Sequence, residues 1–226
     1  MIHQSSRTIV VTGASRGLGL EWVRQLSEST ENLVIAVVCD AKKAQQSETL
    51  SRSNVAIVTA DLSKPETFPV VAAEISRLGG GKVDILINNA GVMIGAGHRS
   101  TREYPNRRQE NGMAKYDSFQ PVASVHTRER TNGEKKASKE KKVVNLASML
   151  GDLSYTFANP DVHFASYAAT KAALTMATAK FHNEFENKGF TFLALNPGWV
   201  NTDLAGEGSA ATRTVDPAVP QVCLPK

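Results

Sequence analysis

The sequence predicts a doubly wound α/β fold, a Rossmann-type parallel sheet covered on both faces. Three observations carry this. Short runs that are apolar throughout, such as Thr8-Ile9-Val10-Val11, recur along the chain and read as strands buried on both sides. They alternate with stretches of helical periodicity. The first run ends in a glycine-rich turn, Thr12-Gly13-Ala14-Ser15-Arg16-Gly17-Leu18-Gly19, that opens directly into a helical pattern.

The elements follow in order. Residues 7–12 read as the first strand, and residues 18–29 as a helix with Leu18, Trp22, Val23 and Leu26 on its inner face. Leu33 to Cys39 is a second strand and Val55 to Thr59 a third, and Val70 to Leu78 reads as helix. Val83 to Ile87 is a fourth strand, ending at Asn88-Asn89-Ala90-Gly91, and Val143 to Leu146 a fifth. Residues 164–187 form a long helix with apolar positions at Tyr167, Ala168, Leu174, Ala177, Phe181 and Phe185. Phe190 to Leu195 is a sixth strand, ended by Asn196-Pro197-Gly198. Ligands of such sheets bind beyond the carboxyl ends of the strands, where the candidate chemical residues all fall.

A chain of 226 residues is long enough for one well-packed domain and short for two, so residues 1–226 are expected to form a single domain. A hydrophobic share of 41% fits a soluble globular protein. No apolar run approaches the roughly 20 residues a membrane span needs, and the N-terminus has no signal-peptide pattern, so no membrane partner is expected. Cys39 and Cys223 are the only cysteines, which implies no disulfide framework and points to a reducing, cytoplasmic compartment. His3, His98, His126, His163 and His182 show no metal-ligand spacing, so no metal site is expected.

The net charge of +4 is unevenly distributed. Residues 97–142 hold 12 Lys+Arg against 6 Asp+Glu, while the rest of the chain has 14 against 16. The basic character belongs to that segment and not to the fold, and no nucleic-acid partner is expected. The segment lacks a sustained helical period where the fold requires a covering helix between strands four and five, and its composition is that of a poorly ordered insertion. Residues 209–226 form a second irregular stretch. Pro217, Pro220 and Pro225 argue against a central strand there, so the last strand of the sheet is expected to be missing.

Gly13, Gly17 and Gly19 lie between a strand and a helix, the context a dinucleotide turn requires. Glycine permits the tight turn and lets backbone N–H groups approach a pyrophosphate, and the following helix aims its N-terminus at the same charge. Ser15, Arg16 and Leu18 belong to this candidate cofactor site. Arg16 is placed to meet a ribose 2′-phosphate, whereas Asp40, at the end of strand two, favours a free 2′-hydroxyl. The two signals conflict. Lys42 and Lys43 tilt the reading to NADP, with NAD left open.

Tyr167 and Lys171 are four residues apart on a helix and share one face. A phenol ionises near pH ~10, and a neighbouring ammonium together with the cationic nicotinamide of an oxidised cofactor is expected to lower that value. Tyr167 then serves as general acid in carbonyl reduction or as base in alcohol oxidation.

The series resembles the short-chain dehydrogenase/reductase family, from about residue 7 to 94 and again from 143 to 206. It comprises the turn Thr12–Gly19, Asp61-Leu62 after strand three, Asn88-Asn89-Ala90-Gly91, Ser148 after strand five, Tyr167-x-x-x-Lys171, and Asn196-Pro197-Gly198 with Thr202. Asn196-Pro197-Gly198-Trp199-Val200-Asn201-Thr202-Asp203, followed by Gly206-Glu207-Gly208, is most similar to the C-factor-like, sniffer-type carbonyl reductases. The resemblance implies that Asp61 and Leu62 flank an adenine ring and that Asn89, Ala90 and Gly91 line the nucleotide cleft. It implies that Pro197, Gly198, Val200 and Thr202 meet the nicotinamide end. It gives Lys171 a hydrogen bond to the nicotinamide ribose and Ser148 one to the substrate oxygen.

The family pattern breaks in the middle. An asparagine that supports a proton relay falls near residues 111–117 in many members, but Asn111-Gly112 reads as a turn and receives no role. The same region supplies a dimer helix in the family, which leaves a homodimer possible but doubtful. Residues 97–142 and the last dozen residues are expected not to derive from the family sequence, as a wrongly spliced or mistranslated stretch would not. The leading reading is an NAD(P)H-dependent carbonyl reductase or alcohol dehydrogenase acting on a small molecule. Its competitors are a dinucleotide binder without turnover and, behind both, a nucleic-acid or acidic-partner binder acting through the basic segment.

Overall fold

The computed structural model describes residues 7–44, 48–91, 140–200 and 221–223. The readings that fall on His3, His98, His126, Asn111, Thr202 and most of the segments 97–142 and 209–226 lie outside these residues.

Strand β1 (Arg7–Thr12) leads through the glycine turn into α1 (Gly17–Leu26), then β2 (Asn32–Val38), the short α2 (Ala41–Ala44) and β3 (Val55–Thr59). Helix α3 (Phe68–Leu78) returns the chain to β4 (Ile85–Asn88). Strand β5 (Lys141–Leu146) is followed by α4 (Leu153–Ala158), the long α5 (Ala165–Phe185) and β6 (Phe190–Asn196). The sheet order is β3-β2-β1-β4-β5-β6, all parallel, with β7 (Gln221–Cys223) antiparallel at the β6 edge. The doubly wound architecture expected from the sequence is therefore present.

Side chains alternate across the sheet, which explains why the strands read as apolar throughout. Val10, Ile35, Val37, Leu86 and Val143 face one side, where Val71 and Ile75 of α3 and Phe181 and Phe185 of α5 pack on them. Ile9, Val11, Val34, Ala36 and Ile87 face the other, against Trp22, Val23 and Leu26 of α1. The α5–β6 contact is aromatic, with the Phe181 and Phe192 rings stacked 5.8 Å apart.

The chain steps from β1 outward to β3, then crosses back and runs from β4 to β6 in the opposite direction. The reversal lies between β1 and β4, which puts the ligand crevice beyond the ends of those two strands. The opposite end of the sheet is sealed by Asp84, 2% exposed, whose Oδ2 accepts the Thr8 N–H at 2.7 Å and pairs with Lys82 Nζ at 3.4 Å.

Three expectations change. The first helix stops at Leu26 instead of residue 29, because Asn32 Nδ2 donates to the Leu26 carbonyl and Arg52 Nη1 donates to the Arg24 carbonyl, closing its C-terminus from outside. The long helix stops at Phe185, and Glu186–Lys188 tighten into a 3₁₀ turn ended by Gly189 at φ +78°. The edge beyond β6 is not vacant. Gln221–Cys223 pair there with Ala194–Asn196, a three-residue edge strand that begins after Pro220, where proline does least harm.

Candidate active site

The glycine turn is fastened from both sides. Gly13 and Gly17 have φ of +66° and +54°, the left-handed region that glycine enters without penalty. Ala14 N–H donates to the Val37 carbonyl at 3.1 Å, tying the turn to β2. Asn89 Nδ2 donates to the carbonyls of Thr12 and Gly13 at 2.9 and 3.2 Å. Thr12 Oγ1 accepts the N–H groups of Asn89 and Ala90 at 3.1 and 3.0 Å. A Cβ on Gly13 would lie 2.8 Å from Ala90 Cα, and one on Gly19 would lie 2.2 Å from the Gly13 carbonyl oxygen. Both positions therefore demand glycine through close backbone approach.

The residues present fit the diphosphate of a dinucleotide. Helix α1 begins at Gly17 without a side-chain cap and without an acidic residue in its first turn, so its leading N–H groups are offered to an anion. Gly91 is not crowded, since an added Cβ would make only an ordinary contact with the Asn89 carbonyl at 3.8 Å. Ser15 and Leu18 are half-buried in the turn, and Arg16 is exposed at its rim.

Asp40 and Asp61 have local work in this structure. Asp40 Oδ1 accepts the Lys42 N–H at 2.9 Å, holding the start of α2. Asp61 Oδ1 accepts from the Ser63 hydroxyl at 2.6 Å and the Ser63 N–H at 3.0 Å, and the Ser63 hydroxyl bond is the chief reason its carboxyl is held below the usual range. Leu62 packs partly buried against the core beside α3.

The second half of the site is built where β5 meets α5. Ser148 leaves β5 in extended backbone, and its Oγ accepts the Leu150 N–H at 3.2 Å, capping the 3₁₀ turn Met149–Gly151. That turn lies directly on α5. A Cβ on Gly151 would stand 2.5 Å from Ala172 N and 2.6 Å from Lys171 C. Gly151 is a residue the sequence reading missed. Its signal is a lone glycine in a turn, legible only once the helix it rests on is known.

Tyr167 and Lys171 share one face of α5, with Nζ 5.4 Å from the centre of the phenol ring. Lys171 Nζ donates to the Leu146 carbonyl at the end of β5. Burial lowers the Lys171 ammonium to about 8. Burial also raises the Tyr167 phenol, whereas the lowering expected from the sequence belongs to the site with an oxidised nicotinamide bound. The reason is physical. Lys171 Nζ is turned to the Leu146 carbonyl, and desolvation governs the phenol.

The strand-six loop comes to the same place. Asn196 Oδ1 accepts the Gly198 N–H at 3.1 Å, and Gly198 turns at φ +77°. Trp199 meets Phe164 edge to face at 6.2 Å, and Phe164 caps α5 three residues before Tyr167. Phe164 takes φ +77°, an uncommon conformation for a bulky side chain. Pro197 and Gly198 of this loop are half-buried and Val200 is buried.

The family model for short chain dehydrogenase matches residues 7–212, nearly the whole chain and across the basic segment. The chain belongs to the short chain dehydrogenase family. This oxidoreductase is 33% identical over 204 residues to the short chain dehydrogenase virK of Hypocrea virens, covering 85% of this chain and 73% of that one. Among solved structures it is similar to the NADPH-bound carbonyl reductase from chicken fatty liver, at 27% identity and TM-score 0.74, over 93% of this chain and 82% of that one. The carbonyl reductase Sniffer of D. melanogaster has the same fold, at 22% identity and TM-score 0.73, over 92% and 86%. Among the described residues of this short-chain dehydrogenase, no helix is long and apolar enough to cross a membrane.

Proposed function

We propose that this short-chain dehydrogenase reduces a small carbonyl compound with NADPH, Tyr167 acting as general acid. The observation that carries the reading is the half-buried Tyr167–Lys171 pair on α5, laid against the Ser148 turn at the ligand end of the sheet. The NADPH-bound carbonyl reductase supports the choice of cofactor and reaction.

When bound, the cofactor supplies a hydride for the carbonyl carbon. The chain supplies the proton and the geometry. Burial keeps the Tyr167 phenol protonated, so its O–H is available to the carbonyl oxygen as negative charge develops there. The Ser148 hydroxyl retains its own proton while accepting from Leu150, and donates it in a hydrogen bond to the same oxygen. Lys171 carries three donors; one holds Leu146, and the others are offered to ribose hydroxyls. Gly13, Ser15, Arg16, Gly17, Leu18 and Gly19 hold the diphosphate end. Asp61, Leu62, Asn89, Ala90 and Gly91 hold the adenosine and cleft side, and Pro197, Gly198, Val200 and Thr202 the nicotinamide side. The free, exposed thiol of Cys39 supports a reducing, cytoplasmic setting.

The test is NADPH oxidation with a panel of aldehydes and ketones, run beside NADPH binding for wild type and Tyr167→Phe. Loss of the phenol should cost about 10² to 10⁴ in turnover with binding kept. Undiminished turnover in Tyr167→Phe overturns the assignment. Saturable NADPH binding with no turnover of any carbonyl gives the second reading, a dinucleotide binder.

A further inference from the structure

Beneath the site a polar chain crosses the core. Asn88, the last residue of β4, donates from Nδ2 to Asn145 Oδ1 of β5 at 2.8 Å. Asn145 Nδ2 donates to Thr178 Oγ1 of α5 at 2.8 Å, and the Thr178 hydroxyl donates to the Leu174 carbonyl at 2.7 Å. The three side chains are 5%, 5% and 3% exposed, so each partner is held by the cost of leaving its neighbour unpaired. Both ends of the Asn145 amide are used, which fixes its orientation.

The placement matters because of two rises. Ser148 lies three residues beyond Asn145, ~10 Å at ~3.3 Å per strand residue. Lys171 lies seven residues before Thr178, ~10.5 Å at ~1.5 Å per helix residue. Strand and helix run in opposite directions, so a tie between Asn145 and Thr178 brings Ser148 and Lys171 level, with Tyr167 one turn farther. Tyr167, Lys171, Leu174 and Thr178 follow helical spacing along one stripe. A helix slipped by one residue would move ~1.5 Å and turn ~100°, carrying Tyr167 and Lys171 off the Ser148 turn.

We infer that Asn145 and Thr178 are positioning residues that set the register of α5 against β5, and with it the height at which Tyr167 and Lys171 meet Ser148. The inference rests on the roles proposed above for those three residues. The tie also reaches the cofactor turn, since Asn88 precedes Asn89, whose amide holds the carbonyls of Thr12 and Gly13. The proton-transfer helix and the glycine turn are thus fixed to a common frame through β4 and β5.

The experiment compares wild type, Thr178→Val and Thr178→Ser in the full chain. Valine keeps the shape and removes the hydroxyl; serine keeps the hydroxyl. Three quantities are read: kcat with a reducible carbonyl, the NADPH dissociation constant, and the titration midpoint of Lys171 from NMR of carbon-labelled lysine, assigned with Lys171→Met. Thr178→Val should lower kcat by about 10- to 100-fold, leave NADPH affinity within about a factor of two, and move the Lys171 midpoint upward as water gains access. Thr178→Ser should restore wild-type values. A Thr178→Val protein with reduced melting temperature but unchanged kcat and Lys171 midpoint overturns the inference, and so does failure of serine to rescue. If Thr178→Val does not fold, Thr178→Ala is read the same way; if neither folds, the tie is a folding determinant only and the inference fails. A wild type that turns over no carbonyl sinks the proposed function, while the NMR arm still decides the register.

Discussion

Lys171 reaches from α5 to the final residue of β5, donating Nζ–H to the carbonyl of Leu146. The bond does not offset the cost of removing the ammonium from water, and the group falls from its ordinary value of 10.5 to about 8. Between those two values the unfolded chain holds a proton that the folded chain has released, so stability rises with pH across that window. Below pH 8 the full cost is present, on the order of 3 kcal/mol for the buried charge, less about 1 for the hydrogen bond given up on substitution. Lys171→Met is therefore expected to melt above wild type at neutral pH, with the difference closing as the pH approaches 10.5. Thermal melts of the two proteins across that range check it; a variant that melts lower at neutral pH contradicts the account.

Gly151 sets the distance between the Ser148 turn and α5. With a Cβ meeting Ala172 N at 2.5 Å, and backbone on both sides, Gly151→Ala must push the turn off the helix. Misplacing a donor by about 1 Å costs on the order of 10²-fold in rate. Gly151→Ala should lose that much in kcat, while NADPH affinity, set at the other end of the crevice, stays near wild type. Steady-state kinetics beside a fluorescence titration measures both. Equal losses in the two would mean that the substitution disturbs the whole fold.

The sheet and the glycine turn were legible in the sequence because their signals are local: Val10, Ile35 and Leu86 sit in uninterrupted apolar runs, and Gly13 follows one directly. The Tyr167–Lys171 pair was legible because helical spacing alone puts both on one face. What escaped is what depends on distant partners. Asp61 looks the same in sequence whether it flanks an adenine ring or only accepts the Ser63 hydroxyl, as it does here. Asn145 and Thr178 are 33 residues apart, and no period links them. The burial that raises the Tyr167 phenol was not legible either, because sequence shows the neighbouring charge and not the packing around it.

Gly19 tests the cofactor turn. An alanine there would place its Cβ 2.2 Å from the Gly13 carbonyl oxygen and 2.5 Å from Asn89 Nδ2, the amide that fastens the turn. The turn must open, which displaces the α1 N–H groups from the position that a diphosphate needs. Gly19→Ala is expected to abolish saturable NADPH binding and to cost about 1–3 kcal/mol in stability. Binding that survives with unchanged affinity would place the diphosphate elsewhere.

Under the proposed function, Arg16 and Asp40 set the choice between the two nicotinamide cofactors. Asp40 directs Oδ1 at the Lys42 N–H, so that oxygen is engaged in opening α2 and is a poor receiver of a ribose hydroxyl. Arg16 stands exposed at the rim of the turn, where its guanidinium can pair with a 2′-phosphate. A charge-assisted hydrogen bond of this kind is worth about 1.5–3 kcal/mol, or roughly 10- to 100-fold in affinity. Arg16→Ala should weaken NADPH by that factor and leave NADH nearly unchanged, whereas Asp40→Asn should leave the ratio of the two close to wild type. Isothermal titration of both cofactors against the three proteins measures the ratio. A fall in NADH affinity on removing Asp40 would show that the carboxylate holds the ribose after all, and would reverse the assignment to NADP.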